Sequence, residues 1–310
     1  MEAEFSLKSW SPLRGADQTG NDLLEGGAGA DSLSGGAGYD VASYMGSSAG
    51  VDVNLLSGVG ASGDATGDSY TGIEYLRGSI GFDDTLVGNN INNWMDGFGG
   101  NDVIRGLAGD DWLLGEAGND TIDGGDGADG MFGGDGSDLL NGGAGIDTLT
   151  GDAGSDTFLF DGTGAGADVI ADFTGGSGAD QLGFQLSGYS GLGGGVTSAN
   201  ALYDVGVHST AFASGVTAQL LAGSHSGIDI LVVTDGIYAS STAAVSAAEG
   251  TSAFPTDGML LVYRQGADHF VLSYDANGTG AGGETFLAHL NGVADANVNQ
   301  INADNFTFWI

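Results

Sequence analysis

Residues 97–159 read GFGGNDVIR, GLAGDDWLL, GEAGNDTID, GGDGADGMF, GGDGSDLLN, GGAGIDTLT and GDAGSDTFL, starting at Gly97, Gly106, Gly115, Gly124, Gly133, Gly142 and Gly151. Self-similarity at a fixed short period is the mark of a solenoid, in which each unit buries its apolar face only against its neighbours. Within each nonapeptide the jobs are divided. Glycine admits positive φ where the chain turns twice in six residues. Positions seven to nine form a short strand, with the eighth side chain inward. That places Leu24, Leu33, Leu86, Met95, Ile104, Leu113, Ile122, Met131, Leu140, Leu149 and Phe158 in the core. The sixth position is an aspartate in every one of the seven units.

The register extends upstream through two degenerate units, SIGFDDTLV from Ser79 and GNNINNWMD from Gly88. Asn93 stands there where aspartate is expected. An earlier block holds DQTGNDLLE from Asp17, GGAGADSLS from Gly26 and GGAGYDVAS from Gly35, and a lone GGSGADQLG starts at Gly175.

These units resemble the RTX nonapeptide G-G-x-G-x-D-x-U-x, a calcium-binding β-helix repeat. The resemblance implies an all-β chain: a parallel β-roll or β-helix solenoid in which two repeats make one coil and units n and n+2 stack. It also implies several Ca2+ ions, each held by two aspartates and by backbone carbonyls of the turns. The implied carboxylates are Asp22, Asp31, Asp40, Asp84, Asp102, Asp111, Asp120, Asp129, Asp138, Asp147 and Asp156. The implied carbonyl donors are Gly97, Gly99, Gly106, Gly115, Gly124, Gly133, Gly142 and Gly151. FDGTGAGADVIADF after Leu159 is similar to the usual exit from such a roll, with Asp168 and Asp180 as last ligands. The units at 79–96 are expected to bind weakly or not at all.

Physical chemistry points the same way. Two carboxylates about 5 Å apart repel by roughly 3 kcal/mol at an effective dielectric of 20. A column of them repeats that cost at every coil, so the roll is expected to fold only around a counter-ion. Hard oxygen donors select calcium over zinc or copper.

Composition sets the remaining limits. There are 41 Asp and Glu against 5 Lys and Arg, a net charge of -36, which excludes nucleic acid and anionic membrane surfaces as partners. Glycine occurs 62 times in 310 residues and cysteine not at all, so disulfides and thiolate metal sites are excluded. No apolar run reaches the roughly 20 residues of a membrane helix, and no cleavable N-terminal signal is evident. The C-terminus, with Asp304 before Phe306, Phe308, Trp309 and Ile310 and no base after Arg264, resembles the uncleaved signal of type I secretion substrates. The expectation is a protein exported by type I secretion machinery to the cell surface or beyond, folding where calcium is abundant.

Three segments follow: residues 1–16; a roll over 17–183, with a longer-turn coil at 44–78; and a β-rich C-terminal cap over 184–310. In 44–78, Val51–Leu55 and Ile73–Leu76 read as strands and GVGASGDATGD between them as turn. In the cap, Ile228–Val233, Met259–Tyr263, Phe270–Tyr274, Phe286–Leu290 and Phe306–Ile310 read as strands, LLVYRQGADHFVLSY as a hairpin, and Ser241–Glu249 as a short helix.

Catalytic motifs are sparse. HExxH is absent, and His208, His225, His269 and His289 are scattered. Gly46–Gly50 satisfies GxSxG but leads into a strand rather than the helix a nucleophile elbow needs. Gly125–Gly130 satisfies the dinucleotide pattern inside the repeats, and the EF-hand-like start at Asp275 has Phe286 at its twelfth position. The expected protein is non-catalytic, structural or adhesive, with a homo-oligomer, a filament or a cell-surface polysaccharide as partner. The competing expectation is a hydrolase or polysaccharide-modifying enzyme acting through 184–310.

Overall fold

In the computed structural model, the described residues are 19–161, 168–174, 179–185 and the strands of 218–220, 229–233, 259–264, 270–275, 284–290 and 306–309. The chain divides into two compact units, Met1–Asp156 and Thr157–Ile310. That division falls inside the repeat run rather than at 183/184.

The first unit carries β1 (Leu23–Leu24), β2 (Ser32–Ser34), β3 (Val41–Ser43), β4 (Asp52–Asn54), β5 (Val59–Ser62), β6 (Ser69–Thr71), β7 (Tyr75–Arg77), β8 (Thr85–Val87) and β9 (Trp94–Asp96). It continues with β10 (Val103–Ala108), β11 (Trp112–Ala117), β12 (Thr121–Asp126), β13 (Gly130–Gly136), β14 (Leu139–Ala144) and β15 (Thr148–Gly154). Alternate strands join two sheets. One runs β1-β3-β7-β9-β11-β13-β15, the other β2-β6-β5-β4-β8-β10-β12-β14. Pairing in the tandem run is parallel and in phase, as Val103↔Thr121 and Trp112↔Gly130 show. Units n and n+2 therefore stack, and a coil is two nonapeptides.

Side-chain alternation fixes the interior. Leu86, Met95, Ile104, Leu113, Ile122, Met131 and Leu140 are all 0% exposed, each the eighth residue of its unit. Positions seven and nine face outward, because neighbouring residues of a strand point to opposite faces. The core is thus one column of large aliphatic side chains per sheet.

Residues 44–78 continue the roll, with β3 pairing β7 and β4 pairing β8 in parallel. The longer turn expected there is instead a meander: β5 lies antiparallel to β4 and β6, followed by a 3-10 turn at Gly63–Ala65. The glycine that reads as turn, Gly60, is a strand residue. A Cβ on it would meet the Tyr70 hydroxyl and the Ala65 carbonyl, so glycine is required beneath that ring.

The second unit carries β16 (Thr157–Phe160), β17 (Asp168–Ile170), β18 (Gln181–Gln185), β19 (Ala218–Leu220), β20 (Asp229–Val233), β21 (Met259–Arg264), β22 (Phe270–Asp275), β23 (Glu284–Leu290) and β24 (Phe306–Trp309). β16, β18 and β24 pair in parallel. β17 joins β23, and β23-β22-β21 run antiparallel, so the expected hairpin is present. The expected helix at Ser241–Glu249 and the loop after Asp275 lie outside the described residues. Among the described residues no helix is long and apolar enough to cross a membrane.

Candidate metal centre

The sixth-position residues form two columns, one along each turn edge of the first unit. The backbone N–H of each donates to the carboxylate one coil on. In one column Asp84 N donates to Asp102 Oδ1 (2.8 Å), Asp102 N to Asp120 Oδ1 (2.7 Å), Asp120 N to Asp138 Oδ1 (2.7 Å) and Asp138 N to Asp156 Oδ1 (3.0 Å). In the other, Asn93 N donates to Asp111, Asp111 N to Asp129 and Asp129 N to Asp147, at 2.6–2.8 Å. Asp22 N donates likewise to Asp40 Oδ1 at 2.8 Å.

These carboxylates are hidden from water: Asp102, Asp111, Asp120, Asp129 and Asp138 are 1–3% exposed. Their Oδ1 atoms are satisfied. The Oδ2 atoms of Asp40, Asp102, Asp111, Asp120, Asp129 and Asp138 are buried and accept no hydrogen bond. A buried unmatched carboxylate oxygen is among the most costly groups a fold can hold. Burial pushes Asp102 and Asp129 up to about 7, and neighbouring column aspartates add to the rise. Burial likewise pushes Asp111 and Asp120 up to about 6. Charge there calls for a cation.

The first-position glycines make the cradle. Their φ angles are not left-handed, so turn geometry is not what requires them. A Cβ on Gly115 would strike the Asp120 carboxylate and lie 2.7 Å from the carbonyl oxygen of Gly133. Gly106 and Gly124 stand in the same way against Asp111 and Asp129, each 2.6 Å from a glycine carbonyl of the next coil, Gly124 and Gly142. Carboxylate Oδ2 and carbonyl oxygen thus share the space a side chain would fill. Positive φ belongs to the fourth position, as at Gly118 (φ 145), and to the second. At the second, Phe98, Leu107, Glu116 and Asp152 adopt it without being glycine.

Among the described residues no three Asp, Glu or His side chains gather as a metal-holding group. The donor set is instead stacked carboxylates with carbonyls, all hard oxygen, which fits calcium. Asp120 and Asp138, for example, would hold such an ion together with turn carbonyls. Its contribution would be to neutralise the column.

Not every expected ligand is equivalent. Asp84 Oδ2 accepts from Ser79 N at 2.6 Å, and the Ser79 hydroxyl lies 2.9 and 3.1 Å from its two oxygens. Asn93 is satisfied by Asn89 N (2.8 Å) and donates to the Glu74 carbonyl (3.3 Å). Asp31 N donates to Asp68 Oδ1 at 2.7 Å. In the second unit Asp168 and Asp180 are buried, and Asp180 Oδ2 accepts from both the amide and the hydroxyl of Thr174.

Three features escape a reading of the repeat. Asp68 and Glu74 occupy column positions: Asp40 N donates to Glu74 Oε2 at 3.0 Å. Each precedes a short alternating strand, which is the available signal. Fifth-position residues build a second ladder of opposite sense. Asn101 N donates to Asp83 Oδ1, Asn119 N to Asn101 Oδ1 and Ser137 N to Asn119 Oδ1, at 2.7–2.8 Å. The recurrence of Asn or Asp at position five is its trace in the sequence. The third feature is a row of aromatic side chains on the outer face: Tyr75, Trp94, Trp112 and Phe132.

Stacked buried carboxylates over glycine floors define a repeat-built metal-binding roll. Residues 16–42, 79–113, 96–131, 105–140 and 132–162 match the RTX calcium-binding nonapeptide repeat (4 copies), so the chain carries RTX repeats over these stretches. A comparison with curated proteins finds no match.

Proposed function

We propose that this is a secreted, non-catalytic calcium-binding protein that folds outside the cell when several Ca2+ ions fill its aspartate columns, and that its role there is structural or adhesive. The observation that carries this reading is the set of buried Oδ2 atoms without hydrogen-bond partners, from Asp102 to Asp138. At cytosolic calcium, far below the roughly 10⁻⁴–10⁻³ M affinities of extracellular modules, those atoms would stay charged and unmatched, and the roll would stay open. An open chain suits passage through type I secretion machinery. In the folded chain the last residues form a strand, β24 on β18.

Self-association follows from the edges. Among the described residues β1 and β2 end their sheets, and an open sheet edge is a template for pairing. The test is circular dichroism of the calcium-stripped chain during calcium titration, followed by sedimentation. The expected result is a cooperative gain of β signal followed by larger species. A cooperatively melting β fold in excess chelator would refute the calcium dependence, and a strictly monomeric calcium-loaded form would remove the assembly.

A further inference from the structure

We infer that the outer face of the sheet carrying β7, β9, β11 and β13 binds a neutral, extended, β-linked polysaccharide; this rests on the calcium-folded roll proposed above. Tyr75, Trp94, Trp112 and Phe132 form an unbroken file along the roll, with ring centroids 5.4, 6.0 and 5.0 Å apart in turn. Register aligns the first three, Tyr75 with Trp94 and Trp94 with Trp112, whereas Phe132 pairs with Leu114 and reaches Trp112 from the neighbouring row. The next seventh position is Gly130, and a Cβ on it would lie 2.7 and 2.8 Å from Cε3 and Cζ3 of Trp112. The Trp112 ring therefore lies over bare backbone, with its other face outward. Trp94 is 46% and Trp112 43% exposed, and large rings left in water mark a contact surface.

The chemistry of the strip selects its ligand. A β-linked pyranose chain is an extended ribbon whose sugars advance by about one strand spacing, with apolar C–H faces and hydroxyl edges. The C–H faces match a file of rings at strand spacing. Arg77 and Asp96 are register neighbours in the ninth-position row beside the rings. Arg77 also sits 5.0 Å from the Tyr75 ring centroid, which closes one end of the file. A net charge of -36 opposes an anionic polymer. A single file of four side chains is too narrow for a protein interface, which needs about 800 Å² per partner.

Native affinity electrophoresis in calcium tests this, with hydroxyethyl cellulose in one gel and alginate in another. The expected result is retardation by hydroxyethyl cellulose and none by alginate. Trp94→Ala combined with Trp112→Ala should weaken retardation by about tenfold or more. Gly130→Ala, which lifts the Trp112 ring without removing it, should weaken it by a smaller factor. Both variants should keep the calcium-induced dichroism of the parent. A folded, calcium-loaded parent that runs unretarded, variants retarded like the parent, or retardation by alginate alone would each overturn the assignment. So would a calcium-dependent dimer abolished by the double variant, since the file would then be a contact between copies. A chain that gains no β signal with calcium would sink the calcium-folded roll itself, and the strip with it.

Discussion

The coils of 44–93 and those of 97–156 share one core and one register, yet they neutralise their buried column residues differently. In 97–156 the outer carboxylate oxygens of Asp102, Asp111, Asp120, Asp129 and Asp138 meet no donor. In 44–93 the chain supplies donors itself. Tyr44 donates to Asp68 Oδ2 at 2.6 Å and lies 2.6 Å from the Tyr70 hydroxyl. Ser79 serves both oxygens of Asp84. The turn before Asp84 is one residue longer than the tandem turns: Gly78 stands against the Asp84 carboxylate as Gly97 does against Asp102, and Ser79 is the added residue. The same acidic position can thus be a demand for a cation or a closed hydrogen-bond site, depending on one neighbouring hydroxyl. The degenerate coils are the part of the roll whose column is satisfied from within.

The largest test of that contrast is calcium removal read residue by residue. In calcium, amides of Ile104, Ile122 and Leu140 are expected to exchange slowly. In chelator their protection should fall by at least three orders of magnitude, about 4 kcal/mol of lost stability. Amides of Tyr70 and Leu86 should lose markedly less. Equal loss at both sets, measured by hydrogen exchange, would erase the distinction between the regions.

Next in size is the glycine floor. Gly115→Ala drives a Cβ into the Asp120 carboxylate and toward the Gly133 carbonyl, with backbone on one side and a column residue on the other. The expected cost in calcium is about 2–4 kcal/mol. Gly46→Ala meets nothing within 4 Å and is expected to change stability by less than about 0.5 kcal/mol. Thermal melts of the two calcium-loaded variants check the pair, and similar midpoints would show that the floor is not tight.

Smaller again is Tyr44→Phe. It leaves Asp68 Oδ2 buried without its donor, at a cost of about 1–3 kcal/mol. Burial raises the Asp68 pKa despite the hydrogen bonds that oppose the rise, so the site has little charge tolerance to spare. The informative readout is the stability gap between calcium and chelator. If an internal hydroxyl replaces the ion at Asp68, removing it should widen that gap; an unchanged gap would count against the substitution of hydroxyl for cation.

Much of this was legible in the nonapeptides. Period, strand positions, the inward eighth residue and the aspartate column all follow from G-x-x-G-x-D and alternation, and the described strands of 229–309 follow from their apolar runs. What was not legible lies in partners far apart in sequence. Tyr44 and Asp68 are 24 residues apart, and nothing local in either marks them as a pair. The meander of β5 was hidden because Gly60 serves packing beneath Tyr70 rather than a turn. In the sequence the first-position glycines read as sources of backbone freedom, although their necessity is spatial. Asp84 reads like any column aspartate until the added Ser79 is placed beside it.

The smallest effect expected concerns protons as weak stand-ins for calcium. In the calcium-free roll, burial holds Asp102 and Asp129 up to about 7 and Asp111 and Asp120 up to about 6, against 3.8 for an unperturbed aspartate. Between those limits the folded form binds more protons than the unfolded one, so its stability falls as pH rises. The contribution is complete below 3.8 and lost as pH climbs through 6 to 7. A calcium-stripped chain should therefore gain β signal as pH is lowered from about 8 toward about 5, reversibly and without added metal. Protons neutralise the carboxylates but cannot bridge an Oδ2 to the carbonyl of the next coil, so this acid form should melt well below the calcium-loaded one. The gain should be concentrated in 97–156, where the unmatched oxygens lie, and weak in 44–93. Acidification that left the calcium-free chain unchanged would mean that the column charges are not what keeps it open.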